Sequence, residues 1–213
     1  MTTKIPLTDF QLEVARLFFS LPASDGFVLA GGAALIAQHL TSRPTQDLDF
    51  FTDRPADIAV ARDELVKAAR AHGWTVRTIQ EGGTFHRVQL TGPEDLLVDI
   101  ALDSHPGRPP TMSVAGPTYA PQELAGRKVI ALFDRSAARD FVDVFALTHV
   151  YSRPELLAWA REVNPGFELR YFIEALDAIS RYTDVDLSLG DVDVDALRGF
   201  FAEWAAELRQ DRP

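Results

Sequence analysis

The chain contains no cysteine, which removes disulfides, thiolate zinc sites and cysteine nucleophiles together. It has no run of about 18 apolar residues able to cross a bilayer. Its first residues, Met1-Thr2-Thr3-Lys4-Ile5-Pro6, lack the apolar stretch of about 7–15 residues that a signal peptide needs. A soluble, cytoplasmic protein with no membrane attachment is expected. Positive charge is scarce: 21 Lys and Arg stand against 31 Asp and Glu, a net charge of −10. That balance argues against a general nucleic-acid coat, because neutralising phosphate needs a positive surface. Several catalytic signatures are missing as well. There is no Gly-Xaa-Ser-Xaa-Gly for a serine hydrolase and no loop ending in Gly-Lys-Ser/Thr. The histidines at 39, 72, 86, 105 and 149 include no i, i+4 pair for a helical zinc site.

What is present is ordinary globular material, 213 residues with 46% hydrophobic and 24% charged, enough for one generous domain or two small ones. Apolar spacing in the first part predicts helices over 8–20, 32–40 and 56–72 and strands near 27–30, 47–51, 74–79, 85–90 and 95–102, a mixed α/β (α+β) sheet. From 104 to 121 the chain carries five prolines and two glycines and reads as a linker. Beyond it, helices are expected over 122–133, 137–151, 154–161, 167–181 and 195–209. The expectation is therefore a sheet lobe over 1–105 and a helical lobe over 106–213, with a groove between them as a usual place for ligands. Charge is uneven along this plan: between Asp184 and Asp211 eight acids face two bases. Before it, Arg127, Lys128, Arg135, Arg139 and Arg153 leave room for a local positive cleft.

Two constellations carry chemistry. Gly31-Gly32 lies where a strand turns into a helix, and Asp47 and Asp49 follow on the next strand. Glycine permits close backbone approach, and N–H groups at a helix start attract phosphate. In a strand, residues two apart share a face, so the two carboxylates converge where a hard divalent ion can bridge them. Magnesium takes one or two protein carboxylates and completes its shell with phosphate oxygens and water. Nucleotidyl transfer needs such an ion to offset charge on attacking and departing oxygens. A third carboxylate, Asp99, interrupts the apolar strand Leu96-Leu97-Val98-Asp99-Ile100-Ala101-Leu102. It either binds metal or a cation, or faces solvent beside Asp103 on a one-sided strand. Later, Lys128 and Arg135 fall two turns apart on one helix, and Asp140 and Asp143 three apart on the next. This set reads either as interhelix ion pairs on a solvated surface or as a phosphate-holding lysine with its acids.

Gly31-Gly32-Ala33-Ala34-Leu35, the run Arg43-Pro44-Thr45-Gln46-Asp47-Leu48-Asp49-Phe50-Phe51, and Lys128 followed by Arg135 and Arg139-Asp140-Phe141-Val142-Asp143 resemble the AbiEii/AbiGii nucleotidyltransferase toxins, a group that includes the MenT relatives of mycobacteria. The likeness spans roughly 25 to 150. It implies a DNA polymerase β-type nucleotidyltransferase core, Mg2+, a nucleoside triphosphate (NTP) donor, transfer to the 3′ acceptor end of tRNA, and a cognate antitoxin. It places Thr45 at the family's hydroxyl position, Asp47 and Asp49 at the metal ligands, Lys128 at the motif lysine, and Asp140 or Asp143 at the late acid. Ala33 departs from the Ser or Thr of many relatives. Gly31, Gly32, Arg43, Arg135 and Arg139 become candidate substrate-binding residues, with Arg127, Arg135 and Arg139 facing tRNA phosphates. Polymerase β logic favours Asp99 as the third acid, whereas the family pattern favours the later block. A small-molecule acceptor, or a non-catalytic partner-binding protein that keeps the fold, stands as the alternative.

Overall fold

The computed structural model describes residues 7–210, so residues 1–6 and 211–213, with Asp211 of the acidic stretch, lie outside the described residues. The chain divides into two compact units, Met1–His39 with Pro44–Pro121, and Leu40–Arg43 with Gln122–Pro213.

The first unit is built on a seven-stranded sheet. Its strands are β1 (Val28–Ala30), β2 (Asp47–Thr52), β3 (Thr75–Glu81), β4 (Phe85–Thr91), β5 (Asp95–Leu102), β6 (Thr111–Ser113) and β7 (Gly116–Thr118), in the order β3-β4-β5-β2-β1-β7-β6. The pairs β2–β5 and β1–β7 are parallel and the others antiparallel. Helix α1 (Asp9–Phe19) begins on a reciprocal cap, with Thr8 and Gln11 each bonding the other's backbone N–H. Helix α2 (Gly31–Ala37) is shorter than the predicted 32–40, and α3 (Pro55–Ala71) starts on a proline and stops before Gly73 as expected.

Alternation decides what each sheet face does. Along β2, exposure alternates between half-buried and buried, so Leu48 and Phe50 go inward with Val98, Ile100, Val88 and Leu90. Ile58, Ala61, Leu65 and Ala69 of α3 are buried with them, and α3 contacts β2, β3, β4 and β5. Phe18 of α1 stacks on Phe50 at 3.9 Å between ring centroids. The opposite face carries Asp47, Asp49, Asp99, Arg87 and Gln89, whose positions follow from the same period of two.

The 104–121 segment, expected as a linker, folds in part. Strands β6 and β7 form a hairpin that joins the sheet through Leu29 and Thr118. The division between units accordingly falls at Pro121–Gln122, where the sequence suggested 105–106.

The second unit is helical apart from the Leu40–Arg43 segment. It comprises α4 (Pro121–Arg135), α5 (Ala138–Leu147), α6 (Arg153–Val163), α7 (Leu169–Asp177) running into a 3-10 turn (Ala178–Arg181), α8 (Asp184–Leu187) and α9 (Val194–Gln210). Phe141, Phe172, Phe201 and Trp204 fill its core with edge-to-face and stacked contacts. Helix α4 passes α6 closely, since a Cβ at Gly126 would lie 2.6 Å from the Trp159 carbonyl oxygen.

Candidate active site

In the first unit the glycine corner and the acidic strand meet. Ala30 is the cross-strand partner of Asp49, so the residue after it, Gly31, turns over the aspartate. Gly31 has φ +61, and a Cβ there would stand 1.8 Å from Asp49 Oδ2. Only glycine both adopts that backbone and leaves the carboxylate room. The seven residues of α2 make a weak dipole, so any phosphate interaction falls to the glycine backbone rather than to a long helix.

Asp47 is oriented from below. Thr45 Oγ1 donates to Asp47 Oδ1 at 2.6 Å, and Gln11 Nε2 donates to the Thr45 carbonyl at 2.8 Å. The hydroxyl predicted beside the first aspartate therefore fixes its rotamer, and α1 fixes the hydroxyl's backbone.

Asp99 is paired in register with Asp49 on the neighbouring parallel strand and is 5% exposed. Both its oxygens accept from Arg87, from Nε and Nη2 at 2.6 Å each. This bidentate pair answers the cost of burying a carboxylate in an apolar strand, so the solvent-facing alternative does not hold. The Asp99 hydrogen bonds push the Arg87 guanidinium further up, with the nearby charges of Asp99, Asp47 and Asp49 adding to the effect against burial. Arg87 was not anticipated, although a turn centred near Pro93 between strands 85–90 and 95–102 already sets Arg87 opposite Asp99.

These donors fit a magnesium ion in part. Asp47 and Asp49 supply two hard carboxylates on one face, with the side-chain-free Gly31 making room for the Asp49 carboxylate, and two is within the one or two protein carboxylates magnesium usually takes. Asp99, in register with Asp49, gives both its oxygens to Arg87, and among the described residues no group of three or more His, Cys, Asp or Glu side chains is placed to hold a metal ion.

The second unit gathers the remaining predicted residues into a buried ionic network. Lys128 Nζ lies 3.0 Å from Asp143 Oδ2 and 3.5 Å from Asp140 Oδ1. Arg135 forks onto Asp140 with two bonds of 2.8 Å. Arg43 forks onto Asp143 at 2.8 and 2.9 Å, and Thr41 Oγ1 adds a longer bond to the same carboxylate. Asp140 and Asp143 are fully buried, and Lys128 and Arg43 nearly so. The ion pairs are thus in the interior, unlike the solvated surface set that was one of the two readings of the sequence. Burial raises both carboxyls, but the cations outweigh it: Lys128 and Arg43 hold Asp143, and Arg135 and Lys128 hold Asp140, below the ordinary carboxylate range. Arg43, expected to bind substrate, spends its fork on Asp143.

The positive cleft expected around α4 and α5 is likewise neutralised in place. Arg127 pairs with buried Glu123, and Arg153 pairs with Glu207 and Glu203. Arg139 is exposed at the start of α5.

The mixed sheet thus presents two carboxylates beside a glycine corner. Solved structures share the protein's fold. JHP933 from Helicobacter pylori matches with a TM-score of 0.60 at 15% identity, over 96% of this chain and 94% of that one. MenT4, a nucleotidyltransferase toxin from Mycobacterium tuberculosis H37Rv, matches with a TM-score of 0.59 at 17% identity, over 97% and 91%. No curated protein sequence matches the chain. The profile of the nucleotidyl transferase AbiEii toxin, of a type IV toxin–antitoxin system, matches residues 15–164. The chain belongs to the AbiEii family.

Proposed function

We propose that this protein is a magnesium-dependent toxin that transfers a nucleoside monophosphate from an NTP to the 3′ acceptor end of tRNA, in the cytoplasm and under control of a cognate antitoxin. The acceptor hydroxyl oxygen bonds to the α-phosphorus, the bond to the pyrophosphate oxygen breaks, and the hydroxyl proton passes to solvent.

The observation that carries this reading is the contact of Gly31 with Asp49, which puts a side-chain-free backbone corner against one of two carboxylates on a single strand face. Asp47 and Asp49 would hold magnesium, which neutralises donor phosphate charge when bound. Thr45 keeps Asp47 turned for that role, and Gly31-Gly32 admits the phosphate chain close to the backbone. Asp140 and Asp143, each held ionised by two cations, are weak bases. We assign them to positioning: Asp143 orients Lys128 and Arg43, and Asp140 orients Lys128 and Arg135. Asp99 anchors Arg87.

The test is incubation of the protein with each of the four α-labelled NTPs, magnesium and total RNA, followed by sequencing of RNA 3′ ends. Label is expected in tRNA with wild type and at background with Asp47→Ala and Asp49→Ala. Equal labelling by all three proteins overturns the catalytic assignment. Label that accumulates in a small molecule moves the acceptor out of RNA, and growth arrest relieved by a neighbouring gene's product supports the antitoxin.

A further inference from the structure

The sheet face that carries the two aspartates continues into a cavity of about 620 Å3, within the ~300–1,000 Å3 usual for ligand sites. Its floor follows one row of cross-strand partners: Leu97 opposite Asp47, then Gln89 on β4, then Arg77 on β3. Arg87 belongs to the next row, between Asp99 and Gln80. Between Thr78 and Gln80 the β3 register shifts. A bulge of this kind re-aims a side chain, and Ile79, the residue within it, lines the cavity.

The chemistry of this lining suits a nucleotide. Arg77 brings a guanidinium, a planar group suited to phosphate oxygens in a way that an ammonium is not, while Arg87 at the cavity keeps its fork on Asp99. Arg77 already donates to the Gln89 side-chain oxygen, which leaves the Gln89 amide N–H groups as donors. Gln46 at the rim adds both a donor and an acceptor, the complement of nucleobase edges. Ile79 and Leu97 supply apolar surface for a ring. Glu94 and Asp95 also line the cavity and repel phosphate, so the phosphate belongs at Arg77.

Strand order decides which nucleotide this is. The dyad stands on β2, the glycine corner lies on its β1 side, and the cavity lies on its β5-β4-β3 side. In phosphoryl transfer the attacking and leaving oxygens lie roughly in line through phosphorus. With the leaving pyrophosphate at the glycine corner, the attacking hydroxyl must come from the opposite flank.

We propose that this cavity is the acceptor subsite, seating the terminal nucleotide of a single-stranded RNA end. The inference rests on the transferase reading above, and it names a binding site separate from the dyad. Unstacked bases of single-stranded ends expose their edges for such reading, whereas paired bases do not.

Arg77→Glu, on an exposed position of the edge strand, and Gln89→Trp, which fills the floor, test it together. Binding of a short fluorescein-labelled single-stranded RNA is followed by anisotropy, and NTP binding by equilibrium dialysis, with circular dichroism as the folding check. Both variants are expected to weaken RNA binding and raise the acceptor KM about tenfold, with NTP binding unchanged. In wild type, RNA carrying a terminal 4-thiouridine is expected to photocrosslink to β3, β4 or β5, a readout that needs no variant to fold. Loss of NTP binding with RNA binding kept makes the cavity a donor site and overturns the proposal. So do unchanged RNA binding in both variants and crosslinks confined to other segments. A wild type that transfers no nucleotide to any acceptor overturns the underlying reading, an outcome distinct from active enzyme with an unaltered acceptor KM.

Discussion

Gly31 allows no side chain for two separate reasons: its backbone is left-handed, and its missing Cβ would overlap Asp49 Oδ2. A Gly31→Ala variant must therefore either shift Asp49 or distort the corner, at a cost of about 1–3 kcal/mol for the strained conformation alone. Nucleotide transfer is expected to fall at least tenfold, checked by the labelled-NTP assay alongside a denaturant melt, and full activity would detach the corner from the site. Asp99 gives a second residue-scale prediction. Because both its oxygens serve Arg87, Mn2+ binding followed by electron paramagnetic resonance is expected to survive in Asp99→Asn and to be lost in Asp49→Asn. Equal loss in the two would restore Asp99 as a ligand. At this scale the sequence was most informative where the relation is local. Asp47 and Asp49 share a face by strand period alone, and Thr45 reaches Asp47 over two residues. The partners of Lys128 and Arg43 were beyond reach because Arg43 meets Asp143 across a hundred positions, a separation no short-range pattern encodes.

Elements were legible in proportion to their length and periodicity. Strands β2 and β4 alternate cleanly, β5 is a long apolar run broken by Asp99, and α3 keeps its apolar spacing over seventeen residues, so their expected bounds differ from the observed ones by no more than a residue. The three-residue strands β6 and β7 hold too few positions for any period, and prolines on either side gave the segment the composition of a linker. The predicted helix over 167–181 ends early as α7 and tightens into a 3-10 turn, a local hydrogen-bond change that apolar spacing does not record. Packing between elements hinges on single positions that spacing does not reveal either. Gly126 sits mid-helix, where glycine is unfavourable by about 1 kcal/mol relative to alanine, and is there because the Trp159 backbone of α6 comes so near. Gly126→Leu is expected to lower stability by about 1–3 kcal/mol or more through overpacking, seen as a reduced urea midpoint. Mn2+ binding at the dyad, within the other unit, is expected to persist. An unchanged midpoint would mean the helices do not approach as described.

For the molecule as a whole, a net charge of −10 conceals an interior in which acids and bases are matched, and that matching sets the response to pH. Asp140 and Asp143 are held below the ordinary carboxylate range by Lys128, Arg43 and Arg135 against the opposing effect of burial. In the unfolded chain both return to about 3.9. A group whose folded value is depressed contributes stability above its unfolded value and loses it as pH falls through the folded one. Stability is therefore expected to hold from neutrality down to about pH 4, the unfolded aspartate value, and to decline below it. Asp143→Asn removes the charge while keeping the shape, and it leaves Lys128 and Arg43 buried with their shared anion gone. Breaking a buried pair in this way costs about 3–5 kcal/mol, so the variant's urea midpoint at pH 7 should drop sharply. Its acid limb should also be shallower than wild type's, because one of the two depressed carboxyls no longer titrates. Urea melts of both proteins from neutral pH to below pH 4 separate these effects. A lowered midpoint with an unaltered acid limb would show that Asp143 acts through packing rather than through its charge.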